Sequence, residues 1–128
     1  MHKRELSGRG WERVRLACAA LAGLMVLTLF YLGSKPVAVG LFVTPWDKVA
    51  HGLFFSAITA LLWIATRARL PRLIVIAVIL VGGLDELHQT TLPGRSADWA
   101  DFMVDVLAAL GTTYLLLLHT NASRPPQN

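Results

Sequence analysis

The sequence predicts an all-helical integral membrane protein, a bundle of four transmembrane helices with both termini cytoplasmic. Three observations carry this expectation. Apolar residues form 55% of the 128-residue chain and charged residues only 16%, against roughly 45–50% and about 25% in soluble domains. Long stretches carry no charge at all, and the polar residues that interrupt the others recur at helical spacing. A disordered chain is excluded by the same composition, and a disulfide scaffold by the presence of a single cysteine, Cys18.

The elements follow in order. Residues 16–34 form an uncharged run of 19, enough to cross roughly 30 Å of hydrocarbon. Lys3, Arg4, Arg9, Arg13 and Arg15 before it resemble the basic region of a signal peptide, but the run is long for one and no A-x-A site follows, so a retained span is expected. The second span, residues 49–66, is broken only by His51. The third and fourth are too short as uncharged runs and reach crossing length only when polar neighbours are included. Residues 72–92 then take in Asp85, Glu86, His88 and Gln89, and residues 99–119 take in Asp101 and Asp105. Capping chemistry suggests Thr44 before Pro45 as the start of the second helix and Ser96, after the Pro93-Gly94 turn, as the cap of the fourth. Gly82, Gly83, Ala108, Ala109 and Gly111 are expected to let helices approach closely. The domain organisation is then a basic cytoplasmic tail over residues 1–13, a four-helix membrane domain over 14–119, and a disordered tail over 120–128.

Charge distribution orients the bundle. Nine of the twelve Lys and Arg residues lie in the two tails and the 67–72 connection, while Lys35, Lys48 and Arg95 occupy the other two connections. Cytoplasmic loops carry the excess of positive charge, so the termini and the middle loop face the cytoplasm. This bias accounts for the net charge of +4 and the pI near 9.8 without a nucleic-acid partner.

Depth is the informative quantity. At 1.5 Å per residue, Glu86 lies about 21 Å from Arg72 at the inner boundary, and Asp105 about 21 Å from His119. By the same count His51 is about 24 Å from Arg67, Gln89 about 25 Å from Arg72 and Asp101 about 27 Å from His119. Three helices thus bring polar groups to one thin layer below the outer edge of the membrane. An isolated charge at mid-membrane costs at least about 2.5–3.5 kcal/mol, so these groups are expected to pair, protonate, line water or hold a metal. Glu86 and Gln89 share a helix face, as do Asp47 and His51, and Asp98, Asp101 and Asp105. Asp85 is expected to point elsewhere, behind the pocket or toward Lys48.

Asp47-Lys48-x-x-His51, then Glu86-x-x-Gln89, then Pro93-Gly94-Arg95 followed by Asp101-x-x-x-Asp105 and Gly111, resembles the VanZ-like family of small membrane proteins. The resemblance covers residues 44–112 and implies a link to teicoplanin-type glycopeptide resistance. The chain departs from the pattern at Asp105, where many relatives carry Asn.

Three functional readings stay open on the sequence. In the first, Asp47, His51, Glu86, Gln89, Asp101 and Asp105 are the candidate catalytic residues of a pocket open to the outer leaflet. Lys48 and Arg95 would bind the anionic headgroup of a membrane lipid or lipid-linked envelope intermediate. Glu86, Asp101, Asp105 and His51 offer donors for a divalent cation as cofactor. In the second, the charges only fix helix packing and nothing is turned over. In the third, the chain is a small proton-coupled transporter. The localisation expected is the inner (cytoplasmic) membrane.

Overall fold

Proline, aspartate and two left-handed residues decide where the helices start and stop. The computed structural model describes residues 2–40 and 43–123, the side chains of residues 2–7 and of 37 excepted. It contains α1 (His2–Gly33), a short 3-10 turn (Pro36–Ala38), α2 (Trp46–Ala65), α3 (Pro71–Gln89) and α4 (Trp99–Ala122), with no strand among the described residues. Three stretches are long and apolar enough to cross a membrane: Gly8–Gly33, Trp46–Ala65 and Trp99–Ala122. The third helix has 19 residues and so the length, but Arg72, Asp85 and Glu86 lower its apolar content.

Several boundaries differ from expectation, each for a local reason. Thr44 does not cap α2: Pro45 holds the cap position, and the Thr44 hydroxyl instead donates to the Asp47 carboxylate at 3.3 Å. Nor does Ser96 cap α4. That position belongs to Asp98, whose side chain accepts from the Ala100 amide at 2.8 Å. An N-cap carboxylate satisfies one free amide and sits favourably at the positive end of the helix. At the other end α4 continues to Ala122, so residues 120–122 are helical rather than part of a disordered tail; residues 124–128 of that tail lie outside the described residues. Residues 2–13 of the expected basic tail belong to the first helix, which begins at His2.

Proline opens α3 at its first turn, where the missing N–H has no helical partner to lose. Between α2 and α3 the chain reverses through Arg67 and Ala68, both left-handed with φ of 54° and 57°. The Ala68 amide reaches back to the Trp63 carbonyl at 2.9 Å and the Arg67 amide to that of Ile64 at 3.1 Å, so the last carbonyls of α2 are used rather than orphaned. Arg15 Nε donates to the Ala65 carbonyl at 2.9 Å and Arg67 meets Glu12 at 2.7 Å, tying α1 to the same turn.

The second helix is the hub, touching each of the other three. Phe55, Ile58 and Trp63 on α2 pack with Ile74 and Val78 on α3 and Ala109 on α4 to form the apolar core. Outward-facing leucines cover the rest: Leu24 and Leu27 on α1, Leu53 on α2, Leu107 and Leu115 on α4 are all exposed. The bundle is therefore apolar outside as well as inside. Helices α2 and α4 start at one end and α3 finishes there, so the polar residues of all three meet at that end.

Close approach of α3 and α4 depends on Gly82. A Cβ at this position would stand 2.9 Å from Asp105 Oδ2 and 3.1 Å from Asp105 Cβ, tighter than van der Waals contact permits. The other glycines expected to serve packing behave differently: a Cβ at Gly83 would meet the Phe102 ring at an ordinary 3.5 Å, and one at Gly111 meets nothing within 4 Å. Gly111 is thus not a packing residue here; it faces outward. Gly82→Ala should lower the stability of the detergent-solubilised chain by about 1–3 kcal/mol through overpacking, whereas Gly111→Ala should not lower it. Thermal unfolding followed by circular dichroism reads both.

Candidate functional site

Two amino-acid spacings create the site. On α2, Lys48 and His51 lie three residues apart; on α4, Asp101 and Asp105 lie four apart. Each pair therefore occupies one helix face. Because α2 and α4 run in the same direction, the pairs meet as two rungs. Lys48 Nζ lies 2.8 Å from Asp101 Oδ1, and His51 Nδ1 lies 2.9 Å from Asp105 Oδ1. His51 Nε2 and Asp101 Oδ2, at 3.9 Å, link the rungs. His51, Asp101 and Asp105, expected near one another, lie together here, and Lys48 joins them one turn away.

Lys48 gathers more than one acid. Its ammonium also donates to Asp98 at 3.0 Å and to Asp47 at 3.3 Å. The ammonium, together with the Ala100 amide, holds the Asp98 carboxyl below the usual carboxylate range. Three carboxylates from two helices thus share one cation, which makes Lys48 the electrostatic centre of this corner.

The third helix contributes Asp85, Glu86 and Gln89, all buried. Glu86 Oε2 accepts the Asp98 backbone amide at 2.6 Å, joining α3 to the start of α4. Gln89 Nε2 donates to Asp85 Oδ2 at 2.9 Å. Gln89 is therefore bonded to Asp85, and not to Glu86 with which the spacing had grouped it. The sequence reasoning placed Asp85 outside the pocket, yet it is only 2% exposed and lies with His51 and Glu86 in one group, their ligand atoms within 4.8 Å of one another. It does not pair with Lys48. The missing signal was the width of the buried face: adjacent positions 85 and 86 lie about 100° apart on a helix, and a helix packed against three neighbours buries both. Asp98 was visible as part of the acidic spacing on α4, but not as cap, Lys48 partner and Glu86 anchor at once.

Arg95 stands apart. It makes no ion pair with a carboxylate among the described residues; its Nη1 donates instead to the carbonyl of Gly33, the last residue of α1, at 3.0 Å. A guanidinium on a helix C-terminal carbonyl is a favourable placement, and it leaves most of the five donors free. Below Arg95 lies a cavity of about 430 Å³. Leu29 and Leu32 of α1 and Phe54 of α2 form its apolar side; Asp47, His51, Gln89, Asp101 and Arg95 form its polar side. Of the expected site residues, Lys48, Glu86 and Asp105 do not line this cavity; Glu86 lines a smaller one with Asp98, Trp99 and Phe102. Three buried carboxylate oxygens, Asp47 Oδ1, Glu86 Oε1 and Asp105 Oδ2, have no hydrogen-bond partner among the described residues.

No curated protein and no solved structure matches the chain. The family model described as VanZ/LLP1 does match, over residues 10–119, a span that contains every residue of the polar layer. With residues 10–119 accounted for and the three motifs of the resemblance converging on one site, the chain belongs to the VanZ/LLP1 family, membrane proteins linked to glycopeptide resistance.

Proposed function

We propose that the protein is a four-span inner-membrane protein whose pocket takes the phosphate-bearing headgroup of an anionic lipid or lipid-linked envelope intermediate at the outer leaflet. One observation carries the reading. The cavity is two-sided, with the Leu29, Leu32 and Phe54 wall suited to acyl or prenyl carbon and the Arg95 guanidinium at the rim. Arg95 is bonded to a neutral carbonyl and not to an acid, so its charge and its forked donors stay available to a phosphate. Teicoplanin resistance follows if occupancy of this pocket changes the envelope intermediate that the antibiotic meets.

The fourth span is α3. Leu73, Ile76, Leu80, Leu84 and Leu87 recur at intervals of three and four and are between 54% and 63% exposed, which makes a continuous apolar stripe for lipid along its whole length. Its acids face the other way, Asp85 and Glu86 being buried in the bundle, while Arg72 stands exposed at the helix start. Composition alone undervalues such a helix, because it averages over a face that lipid never meets. With four spans, the basic bias of the tails and of the 67–72 connection puts both termini in the cytoplasm.

A structural reading has its own support, the sharing of Lys48 among Asp47, Asp98 and Asp101. A cation so enclosed fixes α2 against α4, and its loss leaves like charges facing one another. The two roles divide between residues, Lys48 holding the bundle and Arg95 meeting the ligand.

Topology is tested in a Cys18→Ser background with single cysteines at Ser34, Ala68 and Ser123. A membrane-impermeant maleimide added to intact cells should label the first and not the other two; labelling at Ala68 overturns the four-span arrangement. For the site, Arg95→Gln should leave the membrane level of the protein unchanged and weaken retention of an anionic phospholipid in native mass spectrometry. Loss of charge-assisted hydrogen bonds worth about 1.5–3 kcal/mol is a drop of about 10–100-fold, and teicoplanin resistance should fall with it. Lys48→Met should instead lower the amount of protein in the membrane. An Arg95→Gln chain with full lipid retention and full resistance rejects the pocket.

A further inference from the structure

We propose that His51, Asp85 and Glu86 form a binding site for one divalent transition-metal ion of the zinc or manganese class. The inference goes beyond the lipid reading and does not depend on it. Two acidic groups of this polar layer have ligand atoms close enough to surround an ion, and the structure treats them differently. Asp47, Asp98 and Asp101 enclose the Lys48 ammonium at 3.3, 3.0 and 2.8 Å, so that group already has its cation. His51, Asp85 and Glu86 converge within 4.8 Å and, among the described residues, no lysine or arginine pairs with Asp85, Glu86 or the adjoining Asp105. Three buried carboxylates whose one direct ion-pair partner is the His51 imidazole, bonded to Asp105, lack a compensating positive charge in contact.

Each of the three is also held from behind in a way that leaves a donor atom over. His51 Nδ1 lies 2.9 Å from Asp105 Oδ1; in the tautomer whose Nδ1–H donates to that carboxylate, Nε2 carries the lone pair. This carboxylate–histidine arrangement is the one that orients metal-bound imidazoles and raises their basicity. Asp85 gives one oxygen to the Gln89 amide at 2.9 Å and keeps the other. Glu86 gives Oε2 to the Asp98 amide, while Oε1 is buried without any partner in a side chain only 7% exposed. That unpartnered oxygen is a second observation that points to a ligand here, and unlike the equally unpartnered Asp47 Oδ1, whose other oxygen meets Lys48 at 3.3 Å, it belongs to a carboxylate with no lysine or arginine partner. A buried carboxylate oxygen loses about 1–3 kcal/mol when nothing replaces its water.

The donor set selects the ion. Magnesium and calcium favour all-oxygen surroundings, whereas an imidazole with two carboxylates suits zinc, and manganese next. Side-chain rotations of about 1 Å bring donors at these separations onto bonds of roughly 2.0–2.2 Å. Three protein ligands leave a coordination position open, as in metal sites that bind a further molecule. His51 is common to this group and to the wall of the cavity. The site differs from the set expected on spacing: Asp101 is committed to Lys48, Asp105 holds the histidine rather than the ion, and Asp85 takes the vacated place.

The test uses the full chain, tag removed, in detergent, stripped with a chelator and titrated by calorimetry with Zn²⁺ and separately with Mn²⁺. One ion per chain is expected with at least one of the two metals. Glu86→Gln and Asp85→Asn, which keep shape and hydrogen-bond reach, should each weaken binding at least about 100-fold. Asp105→Asn should weaken it by about 10–100-fold by loosening the histidine, and His119→Gln, at the far end of α4, should not change it. Cobalt provides a second reading: Co²⁺ should give a visible absorption band with the native chain that shifts in Asp105→Asn and vanishes in Glu86→Gln. Absence of saturable binding by either metal, or equal binding by the native and Glu86→Gln chains, overturns the proposal. A chain that retains phospholipid yet binds no metal overturns this inference alone.

Discussion

Two rungs one helical turn apart, Lys48 to Asp101 and His51 to Asp105, set the register of α2 against α4, and the rest of the polar end is arranged around them. Apolar contact cannot do this by itself. A bundle with leucine on its outer faces as well as its inner ones gains little from exchanging a lipid neighbour for a helix neighbour. A slide of one turn, about 5.4 Å, would leave Leu, Ala and Val packed against one another almost as well as before. It would, however, strand two carboxylates and two bases in the apolar layer, and that penalty is what makes one alignment stand out.

Small residues then decide how closely the third helix may follow. Asp105 lies directly against Gly82, so the carboxylate that orients His51 occupies the space where any other residue of α3 would carry its Cβ. Packing and electrostatics are the same event at this point: the approach that buries Asp105 also brings Asp85 and Glu86 beside the imidazole. The Asp98 amide completes the junction by donating to Glu86 from the turn before α4. A single aspartate thereby caps a helix, shares the Lys48 ammonium and, through its backbone, anchors a carboxylate of the neighbouring helix.

Charge is divided within a small volume. On one side Lys48 answers three carboxylates, and the corner is close to self-contained. On the other, Arg95 leans on the end of α1 without an ion pair to an acid, Asp105 meets His51, and Asp85 and Glu86 have only the Gln89 amide and the Asp98 backbone amide as hydrogen-bond partners. The division explains how one polar layer can brace the bundle and still present unspent binding capacity: pairing is completed where helices must be locked, and left incomplete around the cavity that Leu29, Leu32 and Phe54 close from the apolar side.

Hydropathy, length and the spacing of acids were sufficient to foresee the helices, and they set His51, Glu86, Gln89, Asp101 and Asp105 toward one end of the bundle. Those features depend on quantities local to the chain, the rise per residue and the solvation cost of a charge, and they hold whatever the neighbours do. What each side chain touches was not local. Asp85 joined the site because α3 buries a face wider than one row of residues, Gln89 bonded Asp85 rather than sit with Glu86, and Arg95 met the end of α1, a partner 62 positions away. Capping followed the same division, since Thr44 and Ser96 are good caps by type while the tertiary path of the chain placed Pro45 and Asp98 at the helix ends. Sequence alone determined the helices and the end of each that carries the polar groups; only the rotation and separation of the packed helices decided which of those groups are buried and which carboxylate received which cation, because azimuth and interhelical distance are set by all the contacts of the bundle together.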